Sequence, residues 1–132
     1  MTALHSAPRR IAIPSSFSAS LYATFALGAD GTISGMGSVV ADWQAQMFDA
    51  VQRRDMQAAS ALNEKHFALG QAFYAPPFLD MHNRMKEALV MLGRLERAVV
   101  RQPLEKIPPE DRERVRAALI KTGLLRAGKA SA

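Results

Sequence analysis

From residue 42 onward, apolar side chains recur three or four positions apart, which is the spacing of amphipathic helices. Prolines and glycines divide this stretch into four predicted helices. The first covers residues 42–53, and the second lies between the N-cap Asp55 and Pro76. The third and fourth end at Gly93 and Gly123. The residues expected to form their buried core are Trp43, Met47, Leu62, Leu69, Met85, Leu89, Leu92, Val115 and Leu119.

The first 40 residues have a different pattern, which predicts strand, helix, strand. Residues 11–15 and 31–35 are β-prone, and the segment between them has apolar residues every four positions and ends at Gly28. A helix that connects two strands is typical of parallel pairing. Two parallel strands do not make a stable sheet by themselves, so the pattern predicts a missing partner.

Composition and charge exclude several classes of protein. Among the 132 residues there is no cysteine, which excludes thiol catalysis and disulfides and favours a cytoplasmic location. No run of about 18 apolar residues is present, so no membrane span is predicted. The net charge of +5 is scattered and often lies beside acids, so nucleic-acid binding is only an outside alternative.

Candidate catalytic, metal and cofactor residues are few. His66 lies on an apolar helical stripe, where a hydrogen-bonded core or interface histidine is the usual explanation. No histidine or carboxylate spacing suits a metal, and the glycines fit no phosphate-binding motif. A Schiff-base lysine must be desolvated, and only Lys86 is embedded in an apolar helix face. We therefore predict no catalytic residue, no metal site and no cofactor.

Four segments in order resemble the dihydrodipicolinate synthase / N-acetylneuraminate lyase family. Residues 27–35 read LGADGTISG and look like the family's entry into its eighth strand. Residues 86–93, KEALVMLG, and residues 100–104, VRQPL, are similar to the end of a late helix and the segment after it. Residues 116–125 resemble the closing helix. The resemblance covers about residues 11–125.

This resemblance implies the C-terminal part of a (β/α)8 TIM barrel. Family members form an imine between pyruvate, or another 2-oxo acid, and a lysine on the sixth strand, and a tyrosine on the fourth strand moves protons. A complete barrel needs about 250 residues. The expected fold is therefore mostly α, with the last two βα units of the barrel plus the C-terminal helical extension. The implied lysine and tyrosine would precede residue 1, and Tyr22 and Tyr74 lie on helical segments.

The resemblance also suggests a domain division and a partial site. The expected regions are a disordered leader at 1–10, a partial TIM-barrel segment at 11–41, a helical region at 42–125 and a flexible tail at 126–132. Ser16, Ile33 and Ser34 match positions that border the bound keto acid in the family. Ser16-Phe17-Ser18 stands where the family usually has Gly-x-Asp, and Ser38 replaces its asparagine.

Two functions follow as hypotheses. The first is a C-terminal fragment or split subunit of a pyruvate-dependent aldolase or lyase, catalytically incompetent alone. Its partner would be an upstream barrel-half polypeptide or a second copy, and it would contact pyruvate or another 2-oxo acid only in a complete site. The alternative is a small helical interaction module that associates with a full-length homologue.

Overall fold

The computed structural model describes Ser6 and residues 8–128, and the fold is mostly α-helical, as predicted. Parts of the predicted leader and tail lie outside the described residues, so their disorder stays a prediction. The elements in chain order are β1 (Pro14–Ser15), a 3₁₀ turn (Ser18–Ser20), α1 (Leu21–Ala26), β2 (Gly31–Thr32), α2 (Gly37–Gln52), α3 (Met56–Phe73), a second 3₁₀ turn (Phe78–Asp80), α4 (Met81–Met91) and α5 (Pro109–Lys121).

The chain divides into two compact units, Met1–His66 and Phe67–Ala132. The first unit holds both strands, α1, α2 and most of α3. The second unit begins within α3 and holds α4 and α5. The four-region division that the sequence suggested stays a prediction. In the described part of the chain, no helix is long and apolar enough to cross a membrane.

The first unit contains the predicted strand-helix-strand order with parallel pairing. Pro14 lies opposite Gly31 and Ser15 opposite Thr32. Both strands are shorter than predicted, since the ladder contains two residues on each side. At its start, the side chain of Asp30 accepts a hydrogen bond from the Ile13 amide at 2.9 Å. The chain turns soon after β2, and these two strands, the only ones among the described residues, do not close a barrel.

The core of the first unit lies between α1 and α2. Leu21, Phe25 and Met47 are buried there, and the Phe25 and Phe48 rings meet edge to face at 5.3 Å. Trp43 is only half-buried, which corrects the prediction, because the inward position on α2 is taken by its neighbour Gln44.

Two further corrections concern α2 and Leu62. The helix starts at Gly37, five residues before the predicted start, and the non-helical backbone of Val40 (φ −135°, ψ 46°) separates its first turn from the rest. This interruption explains why the helical periodicity begins only at residue 42. Leu62 is partly buried against the edge of the core.

The N-terminus of α3 is capped as predicted. The Asp55 carboxylate accepts a hydrogen bond from the Ala58 backbone amide at 3.0 Å, which satisfies one of the free amides of the first turn.

We expect Asp55→Ala to lower the free energy of unfolding by about 1 kcal/mol, because this amide loses its intramolecular partner. Urea denaturation of the variant beside wild type measures the change. Glu64→Ala removes an exposed acid from the same helix and is the matched control. Equal losses in the two variants would show that the cap is not the cause.

In the second unit, α4 packs against α5. Met85, Val115 and Leu119 are buried, as predicted, and Leu69 in α3 is buried too. Leu89 and Leu92 are only half-buried, because each follows a buried position (Ala88, Met91) and so lies on the flank of α4.

The glycine caps predicted for these helices are present. Gly93 and Gly123 have φ of 69° and 79°, the left-handed conformation that glycine adopts without a Cβ penalty. The most buried charged side chain of the unit is Arg84, which is 0% exposed and pairs with Asp111 at 2.7 Å.

Candidate functional site

The residues predicted to border a substrate follow directly after the two strands. Because β1 and β2 are parallel, their carboxyl ends meet at one edge. There the Ser18 and Ser34 hydroxyl oxygens are 2.5 Å apart, which joins the loop after β1 to the loop after β2. Of the three predicted residues, the structure brings Ser34 into this contact and leaves Ser16 and Ile33 exposed.

Behind this serine pair lies a buried chain of polar side chains. The Gln44 amide nitrogen donates to Ser34 Oγ at 3.0 Å and lies 3.1 Å from His66 Nε2. Gln44 and His66 are 5% and 1% exposed. We call Ser18, Ser34, Gln44 and His66 the polar chain. It links the strand ends to both α2 and α3.

The polar chain determines the protonation state of His66. An amide nitrogen only donates hydrogen bonds, so His66 Nε2 must accept and the proton must lie on Nδ1. Burial lowers the pKa of His66 to about 4, since the low-dielectric interior disfavours the charged ring. The neutral imidazole that the hydrogen bond requires is therefore the form present at neutral pH.

The end of β1 is held by two further hydroxyls. Thr24 Oγ1 on α1 donates to Ser15 Oγ at 2.8 Å, and Thr32 Oγ1 on β2 donates to the Ser15 carbonyl at 2.9 Å. Ser15 itself is buried. The backbone immediately before Ser16 is therefore held by both the neighbouring strand and the helix.

An open groove of about 440 Å³ borders β2 and α2. Ser34 and Gln44 supply polar atoms to it, and Phe25 and Phe48 supply an apolar wall. The remaining lining residues are Asp30, Gly31, Thr32, Gly37, Ala41 and Ala45. None of these side chains is a lysine, so the groove offers no amine for forming a Schiff base.

Lys86, which the sequence singled out, lies in the second unit. Its ammonium group donates to the Val99 carbonyl at 2.5 Å and borders a cavity of about 400 Å³ with Leu95, Glu96 and Arg97. This contact ties α4 to the segment that follows it and supports a structural role. The other described lysines, Lys65, Lys106 and Lys121, are exposed.

Sequence reasoning identified His66 as a hydrogen-bonded core histidine, and the structure confirms this. It missed Gln44, Ser18 and Thr24 as members of the site. Gln44 carried a signal, because it is a polar residue one position from the predicted core residue Trp43. Its partners Ser34 and His66 lie 10 and 22 residues away in the sequence, where local patterns do not reach.

Three known proteins show what the chain is similar to. It is 37% identical over 100 residues to 4-hydroxy-tetrahydrodipicolinate synthase from Moorella thermoacetica, covering 76% of this chain and 33% of the relative. Dihydrodipicolinate synthase from Bacteroides thetaiotaomicron superposes with a TM-score of 0.72 at 21% identity, over 80% of this chain and 36% of that one. N-acetylneuraminate lyase from Fusobacterium nucleatum gives a TM-score of 0.70 at 20% identity, over 81% and 35%.

The two structural matches show a shared fold, and the chain spans about a third of the length of each of these relatives. The sequence profile described as the Dihydrodipicolinate synthetase family matches residues 1–122, nearly the whole chain. The resemblance seen in the sequence blocks is therefore confirmed. The chain belongs to the dihydrodipicolinate synthetase family, and its two βα units and helices match a C-terminal third of that family's fold.

Proposed function

We propose that this chain supplies the last two βα units and the helical extension of a pyruvate-dependent aldolase or lyase, and that it is catalytically incompetent alone. The observation that carries the proposal is the match of nearly the whole chain to the family over only a third of its relatives' length. Catalysis then requires the barrel segment that bears the imine-forming lysine, whether or not that segment is joined to this one.

The parallel strand pair supports this proposal. In a closed barrel every strand pairs on both edges, whereas β1 and β2 pair only with each other in the described structure. The remaining strands of the barrel are the natural partners for these edges. The upstream barrel half is therefore the proposed partner, with self-association as the other means of covering the edges.

In the completed barrel, Ser16, Ile33 and Ser34 would border the bound 2-oxo acid. Barrel enzymes bind substrate at the carboxyl ends of their strands, and these residues follow directly after β1 and β2. Their contribution would be shape and backbone hydrogen bonding. The covalent step would belong to the lysine of the preceding segment.

We expect no adduct when this chain alone is treated with pyruvate and borohydride, which reduces any imine to a stable amine. Intact mass spectrometry measures the result. With a polypeptide that carries the preceding barrel segment, the adduct should form and should map to that segment.

A stoichiometric adduct on this chain alone would contradict the proposal. Peptide mapping would then locate the modified lysine, and Lys86→Met would test the one lysine embedded in a helix face. No adduct from the combined segments would also count against it.

A second candidate function is an interaction module that associates with a full-length homologue. The exposed apolar side chains in the first unit favour it, since Ile33, Leu27 and Phe17 are 73%, 67% and 58% exposed. Sedimentation of the chain with a full-length family member distinguishes the candidates. Co-sedimentation would favour this module, and imine formation only with the preceding barrel segment would favour the split enzyme.

A further inference from the structure

We propose that Gln44, which lies between Ser34 and His66, is a positioning residue that holds Ser34 against Ser18 and thereby fixes the Ile33–Ser34 backbone where the completed barrel binds its 2-oxo acid. The position of the substrate rests on the proposed function. The hydrogen bonds themselves do not, and they are testable on the chain alone.

The Gln44 amide nitrogen carries two hydrogen atoms. One is directed to Ser34 Oγ at 3.0 Å and the other to His66 Nε2 at 3.1 Å. Both acceptors are thus held by one planar group, which itself is 5% exposed within α2. Gly37 contributes space, since a Cβ at this position would lie 3.2 Å from Gln44 Oε1.

The hydroxyl groups of Ser18 and Ser34 are joined by a hydrogen bond. Ser18 is 2% exposed, and its hydroxyl must place its proton on an acceptor. Donation to Ser34 Oγ, 2.5 Å away, satisfies it. Ser34 Oγ accepts from Gln44 on one side and shares a hydrogen bond with Ser18 on the other, and these two partners fix its rotamer.

These contacts hold the backbone just beyond the ends of β1 and β2. Ser34 adjoins Ile33, whose backbone amide donates to the Ser15 carbonyl at 2.8 Å. Ser15 thus holds the first peptide beyond β2, the Ser34 side chain holds the Ile33–Ser34 peptide that follows it, and Ser18 ties the loop after β1 to the same point. Without the Gln44 amide, the Ser34 side chain would keep only the hydroxyl of Ser18, at the start of the first 3₁₀ turn.

His66 supports Gln44 by accepting its second hydrogen. The imidazole is 1% exposed on α3, so its position is set by packing. A protonated ring would present an N–H to the amide N–H and break the polar chain. The neutral Nδ1–H form is thus a required part of the arrangement.

The first test is nuclear magnetic resonance of this chain with ¹⁵N-labelled histidine and glutamine. We expect His66 in the Nδ1–H tautomer and slow exchange of the Gln44 side-chain protons. The ionised glutamate of Gln44→Glu cannot donate, so with this side chain ionised His66 should change to the Nε2–H tautomer or become protonated. Gln46→Met, at an exposed position of the same helix, is the control and should leave His66 unchanged.

An Nε2–H tautomer in the wild-type chain would overturn the proposal, and so would a His66 spectrum unchanged by Gln44→Glu. A residue with only a packing role would not change the tautomer, so this readout separates positioning from general stability.

The second test uses the chain completed with its preceding barrel segment. Gln44→Met keeps the length of the side chain and removes both donors. We expect its KM for the 2-oxo acid to rise about tenfold, the order of one lost hydrogen bond, with kcat changed much less. An unchanged KM would overturn the proposed effect on substrate. If the wild-type assembly forms no imine, the proposed function fails, and the nuclear magnetic resonance experiment alone decides the role of Gln44: the His66 tautomer tests its bond to His66, and slow exchange of the Gln44 side-chain protons tests its bond to Ser34.

Discussion

Replacing Arg84 with methionine is expected to lower the free energy of unfolding by about 3–5 kcal/mol, the range found when one partner of a buried ion pair is removed. Arg84 is completely buried, and the side chain of its partner Asp111 is 6% exposed. The guanidinium Nε and Nη2 lie 2.8 Å and 2.7 Å from the same carboxylate oxygen. Loss of the arginine leaves this carboxylate with Arg114, whose own side chain is 46% exposed.

The backbone after α3 depends on the same guanidinium. Arg84 donates to four backbone carbonyl groups within residues 73–77, at 2.5–3.2 Å. They belong to Phe73, Ala75, Pro76 and Pro77. Methionine fills a similar volume but donates to none of them. Phe73 is buried, and the loss of the donor to its carbonyl group adds to the effect, which is why a value at the upper end of the range is expected.

Urea denaturation followed by circular dichroism measures this effect. Arg112→Met is the matched control, because its ion pair with Glu87 at 3.2 Å lies at the surface, and its loss should be below about 1 kcal/mol. Since a loss of this size can unfold a small protein, Arg84→Lys provides a second variant. It keeps the charge with fewer donors and should fall between wild type and Arg84→Met. Equal stability of the Arg84 and Arg112 methionine variants would refute the role assigned to the buried pair.

The second large effect is a loss of stability on acidification that His66 produces. The pKa of His66 is lowered from 6.5 to about 4 in the folded protein because the ring is buried. Between these values the unfolded chain binds a proton that the folded chain does not. The contribution of neutral His66 to the free energy of unfolding is therefore fully present above pH 6.5 and is lost as the pH decreases toward 4. Between pH 7.5 and pH 5, the titration of His66 should lower the free energy of unfolding by about 2 kcal/mol.

The comparison of wild type with His66→Gln isolates this contribution. Glutamine accepts a hydrogen bond from Gln44 but does not titrate, so the variant should lose less stability between pH 7.5 and pH 5. His82 is exposed, and His82→Gln is the control that should keep the wild-type pH dependence. Stopping at pH 5 limits the contribution of carboxylates. If wild type and His66→Gln lose the same stability, His66 does not carry the effect.

These two predictions concern different parts of the molecule. Arg84 and Asp111 belong to the second unit, whereas His66 and the polar chain belong to the first. The first prediction tests how the helical extension is held together. The second tests the protonation state on which the arrangement of Gln44 and Ser34 depends.

The sequence by itself determined the local features of this protein. Some features depend only on residues close to each other in the sequence, and the sequence therefore predicts them. They are the helix periodicity, the Asp55 cap and the glycine caps at residues 93 and 123. The family was also readable, because four short blocks in the right order carry it. Parallel pairing of the strands followed from the intervening helix.

Only the tertiary structure decided which residues share a site and which are buried. Arg84 and Asp111 are 27 residues apart, and the polar chain draws together residues from 18 to 66. Gln44, and not Trp43, occupies the inward position on α2, where its buried amide has two hydrogen-bond partners. Hydrogen bonds join groups by their positions in space, and periodicity along a chain carries no information on a partner many residues away. The strand lengths were decided in the same way, since a strand extends only as far as a neighbouring segment supplies donors and acceptors.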